Sequence, residues 1–220
     1  MSGLKTIISI LTVAAAATLA ACGGDNASDA PSSSAASSVQ DDALSLRPAT
    51  AFAEIAGDEE RAAAIFTEMF KVISSPRCMN CHPRDDAPRQ GDLMAAHQPP
   101  VARGPAGLGL PGMECGTCHG EANVAFVTSD GSIPGHQPWA LAPKSMGWIG
   151  LQAPAVCAQL KDQERNGGRD LAAVHEHMAE DGLVGWAWDP GEGRAPAPGS
   201  QAVFGELTQA WIDAGAHCPA

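Results

Sequence analysis

Two short stretches of this 220-residue chain decide its fold: Cys78-Met79-Asn80-Cys81-His82 and Cys115-Gly116-Thr117-Cys118-His119. Both read C-x-x-C-H. Two thiols at this spacing can each form a thioether with one vinyl group of a haem, and the histidine that follows can bind the iron. Because this pattern would rarely arise twice by chance, we predict two covalently bound haem c groups. Their proximal ligands are His82 and His119, and their attachment points are Cys78, Cys81, Cys115 and Cys118.

Zinc and dithiol chemistry are the alternatives for these cysteines. Two C-x-x-C knuckles can hold a zinc ion, and a single C-x-x-C suits a thioredoxin-like redox protein. Neither requires a histidine directly after both pairs. The two histidines therefore favour haem over both alternatives.

The distal haem ligands have to come from the five other histidines or from the methionines. His97 follows His82 by about the same interval as His136 follows His119, and each lies in a proline-containing loop. This parallel predicts two similar units in which His97 and His136 are the distal ligands. A strong-field ligand closes the iron and suits electron transfer, whereas an open position permits catalysis.

Three alternates remain for these distal positions. On a helix near residue 175, His175 shares a face with Val174 and Met178, whereas His177 has the poorer helical phase. Met146 lies in a loop and carries a thioether that can bind haem iron. We treat His217 as structural or solvated.

The N-terminus predicts export. An uncharged apolar run from Ile7 to Ala21 follows Lys5 and ends in Leu19-Ala20-Ala21-Cys22, which resembles the lipobox of bacterial lipoproteins. We expect residues 1–21 to be a signal peptide and Cys22 to anchor the protein to a bilayer on the periplasmic side. An uncleaved anchor helix is the alternative.

Residues 22–50 are rich in Ser, Ala, Asp, Gly and Pro, which predicts a flexible tether before a domain at residues 51–220. Two cysteines then remain, Cys157 and Cys218. In an oxidising compartment they most simply form a disulfide, with two buried free thiols as the alternative.

The fold class that we expect is mainly α with extensive coil. Apolar spacing predicts an amphipathic helix over residues 52–74, restarted near Asp58, and further helices over 153–161, over 170–180 and from Ser200 to Gly215. The region 83–150 is rich in Gly and Pro, so regular structure there should be brief. Only ten of the residues are Trp or Phe and none is Tyr, so we expect the haems to form much of the core.

Composition also narrows the class of partner. The formal net charge of −12 argues against nucleic acid, whose phosphates attract basic surfaces. It favours a redox partner protein with a basic patch and an association rate that depends on salt.

Several stretches together resemble a family of exported bacterial dihaem proteins named after a subunit of isoquinoline 1-oxidoreductase. The resemblance covers residues 65–219, and the residues that carry it are Cys78–Pro83, Gln90–Asp92, His97, Met113–Gly120, Leu141–Pro143, Met146, Leu160–Asp162, Asn166–Arg169, His177, Asp181, Leu183–Gly193 and Trp211–Pro219. It implies a molybdenum hydroxylase as electron donor and gives His177 more weight as an axial ligand.

The sequence thus predicts a membrane-tethered periplasmic dihaem cytochrome that carries single electrons. The first alternative is an enzyme similar to dihaem peroxidases, with one open haem iron. The second is a haem-based sensor or assembly factor without electron flow. The spin state of the two haems would separate the first two hypotheses.

Overall fold

The computed structural model describes residues 45–220. The predicted signal peptide, the lipid attachment at Cys22 and most of the predicted tether lie outside the described residues. The backbone N–H and Nε of Arg47 donate to the carboxylate of Glu68, at 3.1 and 2.9 Å. Leu46 packs against the core. Residues 46–50, which the sequence assigned to the tether, therefore lie against the folded domain.

Helices at both ends of the described chain enclose a long region of turns and loops. The α-helices are α1 (Asp58–Ile73), α2 (Pro76–Met79), α3 (Ala153–Lys161), α4 (Leu171–Glu180), α5 (Gly182–Gly185) and α6 (Gln201–Asp213), and single 3-10 turns cover Ala49–Phe52, Pro105–Gly107, Cys115–Thr117, Lys144–Met146 and Trp186–Trp188. Three helices predicted from apolar spacing are confirmed to within about two residues. They are α3, α4 and α6.

The predicted break near Asp58 is real, because Gly57 is extended and α1 begins after it. Three acidic residues fill the first turn of α1, where the helix dipole favours negative charge. The prediction that a helix starts at residue 52 was wrong. That residue closes a 3-10 turn, and a non-helical stretch separates it from α1.

Helix α6 joins the two ends of the domain. It starts at Ser200, whose hydroxyl accepts a hydrogen bond from the N–H of Val203, as a helix cap does. Its apolar face packs on α1 and α4, and the rings of Phe66 and Trp211 lie 5.3 Å apart. This part of the core is formed by the packed side chains of these three helices. Cys157 of α3 and Cys218 are bonded to each other, which confirms the predicted disulfide pair.

The middle region contains three antiparallel hairpins with strands of two residues each. They are β1 (Arg89–Gln90) with β2 (Ala95–Ala96), β3 (Gly109–Leu110) with β4 (Met113–Glu114), and β5 (Val124–Ala125) with β6 (Ser132–Ile133). The described residues are partly helical, with extensive coil and little strand, which confirms the coarser part of the expected class. Within these residues, no helix is both long and apolar enough to cross a membrane.

Candidate functional site: two histidine pairs beside the cysteine motifs

The histidines of the two C-x-x-C-H motifs are held in the same way. His82 Nδ1 lies 2.8 Å from the carbonyl oxygen of Met146, and His119 Nδ1 lies 2.7 Å from that of Pro134. A carbonyl can only accept, so Nδ1 must carry the proton in both rings. In a neutral ring this leaves the lone pair on Nε2, which is the arrangement of a histidine that binds a metal.

A tryptophan stacks on each of these two imidazoles. Trp148 lies parallel to His82 with 3.4 Å between ring centroids, and Trp139 lies parallel to His119 at 4.6 Å. The backbone N–H of Trp148 also donates to the carbonyl of His82, at 2.8 Å. The rings are therefore fixed by packing as well as by hydrogen bonds, and the two sites share one design.

Burial keeps both rings neutral. It lowers the pKa of His82 to about 3, although the hydrogen bond with Met146 opposes this shift. Burial also lowers the pKa of His119, against the hydrogen bond with Pro134. At neutral pH both rings therefore offer a lone pair rather than a positive charge.

His97 lies beside the second motif. Its ring centroid is 6.0 Å from that of His119, and its Nδ1 is 2.9 Å from the carbonyl oxygen of Pro99. Its Nδ1 thus has a carbonyl partner, as in the two motif histidines. The spacing in the sequence had assigned His97 to the unit of His82, but the fold brings it to His119 instead.

His177 lies near the first motif. Its Nδ1 is 3.0 Å from Oδ2 of Asp181, one helical turn further along the chain. Burial lowers the pKa of His177, although the Asp181 carboxylate favours the charged ring. The charge of His177 is one of the smaller causes, after burial, that lower the pKa of His82, so the two side chains lie within electrostatic range of each other. The resemblance to the dihaem family had favoured this residue, and helical phase had not.

The other candidate ligands lie in different surroundings. Nδ1 of His136 is buried and has no hydrogen-bond partner, and its Nε2 is 2.6 Å from the position that a Cβ on Gly182 would take. His175 is half-buried on α4. Met146 is buried in the protein core, and it is the carbonyl, not the thioether, that bonds His82. In the described part of the chain, neither His136 nor His175 has an acceptor at Nδ1. His82, His97, His119 and His177 each have one.

The four motif cysteines are free thiols. Burial raises the pKa of Cys78 to about 12 and that of Cys81 to about 11. Thiols used in disulfide exchange have a lowered pKa, so the first motif lacks the electrostatics of a redox dithiol. Among the described residues, no three His, Cys, Asp or Glu side chains are grouped so that they could hold a metal ion together.

One backbone connection holds the two motifs side by side. The N–H of Ala142 donates to the carbonyl of Cys81, and the N–H of Leu141 donates to that of Gly107. The Cys115 thiol is 3.8 Å from the same Gly107 oxygen. The charge of the Cys115 sulfur is also one of the smaller causes that raise the pKa of Cys81. The motifs are therefore adjacent in space although 33 residues lie between Cys81 and Cys115.

A buried arginine supports this arrangement, and sequence reasoning missed it. Arg103 is 8% exposed, and its Nη2 donates to the carbonyls of Pro83 and Asp85, both at 3.1 Å. Its Nη1 donates to the carbonyl of Ala142. Arg103 thus joins the loop after the first motif to the connection described above. A lone arginine in a loop rich in Gly and Pro gives no sequence signal for this role.

The exposed large apolar side chains of the described chain all fall between residues 93 and 133, the part of the sequence that holds the second motif and His97. They are Leu93, Met94, Leu108, Leu110, Met113, Val124, Phe126, Val127 and Ile133.

Comparisons with known protein families, with characterised proteins and with solved structures give no significant match to this chain.

Proposed function

We propose that this protein is a c-type cytochrome with two covalent haems, tethered to a membrane on the periplasmic side, which carries single electrons. The observation that carries the proposal is the set of four histidines with Nδ1 anchored to an acceptor, namely His82, His119, His97 and His177. We pair His119 with His97, whose rings lie 6.0 Å apart, and His82 with His177. Haem bound in these sites would supply a one-electron iron couple. Cys78, Cys81, Cys115 and Cys118 would attach the two groups.

The residues of the chain prepare each site for a closed iron. In each pair, the anchored Nδ1 fixes the tautomer and the direction in which the imidazole offers Nε2. Histidine on both sides of an iron leaves no open position for a substrate, which suits electron transfer rather than catalysis. The two histidine pairs therefore favour a carrier over the enzyme with one open iron.

The distal assignments differ from the symmetric expectation. We propose His97 as the distal ligand beside His119 and His177 as the distal ligand beside His82, with His136 outside both pairs. The Nδ1 acceptor is the physical criterion, because a metal-bound histidine almost always donates its other N–H to a carbonyl or carboxylate.

Spectroscopy of the protein matured in a host that attaches haem c tests this proposal. The mass of the mature chain should show two haems, and the visible and EPR spectra of the oxidised protein should show two low-spin irons. Each of the variants His97→Ala and His177→Ala should convert one of the two irons to high spin. His175→Ala, on the same helix as His177, and His136→Ala are the controls and should leave both irons low-spin.

Three results would reject the proposal in separate parts. A chain that matures without covalent haem would exclude the cytochrome. A high-spin iron in the unchanged protein that binds cyanide or CO readily would favour the peroxidase-like enzyme. A loss of low-spin iron in His136→Ala but not in His177→Ala would restore the symmetric pairing.

The donor and the acceptor follow only from the family resemblance and from charge. We propose a molybdenum hydroxylase as donor and a component of the respiratory chain as acceptor. Stopped-flow mixing of the oxidised cytochrome with such a reduced hydroxylase should reduce both haems, at a rate that falls as salt rises. No reduction on mixing would reject this donor and would leave the haem sites untouched.

A further inference from the structure

Arg77, which directly precedes the first motif, carries hydrogen-bond donors without partners. Its side chain is 1% exposed, and its Nη2 donates to Oδ1 of Asp92 at 2.6 Å. Its Nε and Nη1 are buried and bond to nothing in the described chain. Buried donors almost always have a partner, because a donor removed from water without one is costly. The Nε–H and Nη1–H groups of Arg77 can therefore donate to an acceptor that is not part of the protein.

A second arginine lies close by, and the charge around the two is unbalanced. The positive charge of Arg77 is, after burial, one cause of a lowered pKa of Arg194. The carboxylate of Asp92 opposes the lowering of the pKa in both Arg77 and Arg194. Its Oδ2 accepts a hydrogen bond from the backbone N–H of Ala195. The Arg194 guanidinium is occupied by Ser132 and by the carbonyls of Pro190 and Glu192. A buried and a half-buried cation that share one carboxylate leave a net positive charge, which favours an anion beside Arg77.

Arg77 lies between the first motif and the tryptophans that pack toward His119. The positive charge of Arg77 is one cause that lowers the pKa of the Cys78 and Cys81 thiols, against the larger effect of burial. On its other side, Cζ of Arg77 is 5.9 Å from the ring centroid of Trp186, which meets Trp139 edge-on at 4.9 Å. Trp139 stacks on His119. An anion at Arg77 would therefore sit beside the first candidate haem site, with Trp186 and Trp139 between it and His119.

We infer that the free Nε–H and Nη1–H groups of Arg77 bind a haem propionate, with Arg194 supplying a second positive charge nearby. This inference rests on the proposed dihaem function. A propionate is a carboxylate carried by the group that the neighbouring Cys78 and Cys81 attach, so it is delivered to this place without a diffusing ligand. Arginine N–H groups match carboxylate oxygens better than any other side-chain donor.

The reduction potential of one haem should report the role of Arg77. A cation near the iron favours the ferrous form, so Arg77→Gln should lower the reduction equilibrium constant of one haem by about tenfold, or about 59 mV for a one-electron couple. Arg77→Lys keeps the charge but loses the planar donors and should change the potential less. Arg61→Gln is the control, because Arg61 pairs with Asp58 on α1 and should leave both potentials unchanged.

An isotope label identifies the anion itself. Haem made from δ-aminolevulinate labelled with ¹³C in its carboxyl carbon carries the label only in its propionates. Redox-induced infrared difference spectra should show a labelled carboxylate band that moves in Arg77→Gln and stays in place in Arg61→Gln. If Arg77→Gln does not fold, the labelled band of Arg77→Lys should still differ from that of the unchanged protein.

The outcomes separate this inference from the function on which it rests. A labelled band and two potentials unchanged in Arg77→Gln and in Arg77→Lys would overturn the propionate site while both haems remain. A potential that shifts only when the buffer anion is exchanged, with the labelled band fixed, would show a free anion at Arg77 and would also overturn it. Absence of covalent haem would instead reject the proposed function.

Discussion

Asp181 serves two structural purposes with its two carboxylate oxygens. Oδ1 accepts hydrogen bonds from the N–H groups of Leu183 and Val184 and thereby caps α5, while Oδ2 bonds Nδ1 of His177. Burial raises the pKa of this carboxyl, but the neighbouring His177 and the two N–H groups more than offset burial and hold the pKa below its usual value. The cap and the proposed ligand are therefore fixed by one ionised side chain.

Asp181→Asn separates these two purposes. The amide oxygen can still cap α5, but the amide nitrogen cannot accept from Nδ1 of His177. Because a carboxylate partner makes an imidazole more basic, its loss should raise the potential of the haem for which we propose His177 as a ligand. A redox titration should show one shifted potential of the two, with little change in stability. Asp181→Ala should also lose the cap and cost about 1 kcal/mol in chemical denaturation. Two unshifted potentials in Asp181→Asn would contradict a role for His177 as ligand.

Glu68 gives the stability a pH dependence that does not involve the haem sites. Its side chain is 2% exposed. Oε2 of Glu68 lies 2.9 Å from Nε of Arg47, and Oε1 lies 2.8 Å from Nζ of Lys71. Burial alone would raise its pKa, but these two partners lower it below the usual value. The lowered pKa stabilises the fold fully above the unfolded pKa of about 4.3, and this contribution is lost as pH falls through the folded value.

Glu68→Gln should therefore cost about 1–3 kcal/mol at neutral pH and less in acid. Denaturant unfolding at several pH values between neutral and about pH 3 measures the difference between the variant and the unchanged protein. Glu206→Gln is the control, because Glu206 is exposed on α6. This variant should leave the free energy of unfolding unchanged at each pH. A constant difference across this pH range would show that Glu68 contributes through packing and not through its charge.

At the scale of elements, the connection between the motifs depends on a glycine. Gly107 has φ of +76°, and a Cβ at this position would lie 2.4 Å from the carbonyl oxygen of Leu141. Gly112 has a similar φ of +84°, but a Cβ there would meet nothing within 4 Å. The two residues share the backbone conformation and differ in the space around them.

Gly107→Ala should therefore destabilise the protein more than Gly112→Ala. Both variants lose about 1–2 kcal/mol from the left-handed backbone conformation. Only the first must also move Leu141, which weakens the hydrogen bonds that place Cys81 beside Cys115. Thermal melts of the two variants give the comparison, and equal losses would show that the connection adapts to a methyl group.

The helices could be predicted from the sequence because apolar spacing and caps are local signals. The boundaries of α3, α4 and α6 follow from residues within or next to each helix. The pairing of His97 with His119 could not be predicted, because it depends on how the middle loops fold back on one another. Arg77 and Arg103 were missed for the same reason, since a charged side chain gives no local sign that the fold will bury it. The bond between Cys157 and Cys218 could be predicted from chemistry alone, because these two cysteines lie outside the two motifs.

At the scale of the whole molecule, the Cys157–Cys218 disulfide ties the C-terminus to α3 with a sequence separation of 61 residues. The closed loop contains α4, α5 and α6, so it includes His177 and the face of α6 that packs on α1. In the chain-entropy model, a loop of this length stabilises the folded state by about 4 kcal/mol. The bond therefore matters for the proposed ligand as well as for the core.

Opening this bond should loosen the site of His177 before that of His97. A thiol reductant cleaves a disulfide but not a thioether, so it should open this bond and leave covalently attached haem in place. Reduction should lower the free energy of unfolding by about 4 kcal/mol, and the double variant Cys157→Ala, Cys218→Ala should show a similar loss. Under mild denaturant, the low-spin signal beside His82 should weaken first, because His177 lies inside the loop and His97 lies outside it. The double variant treated with the same reductant is the control and should not change further. Simultaneous loss of both low-spin signals would show instead that the two sites unfold as one unit.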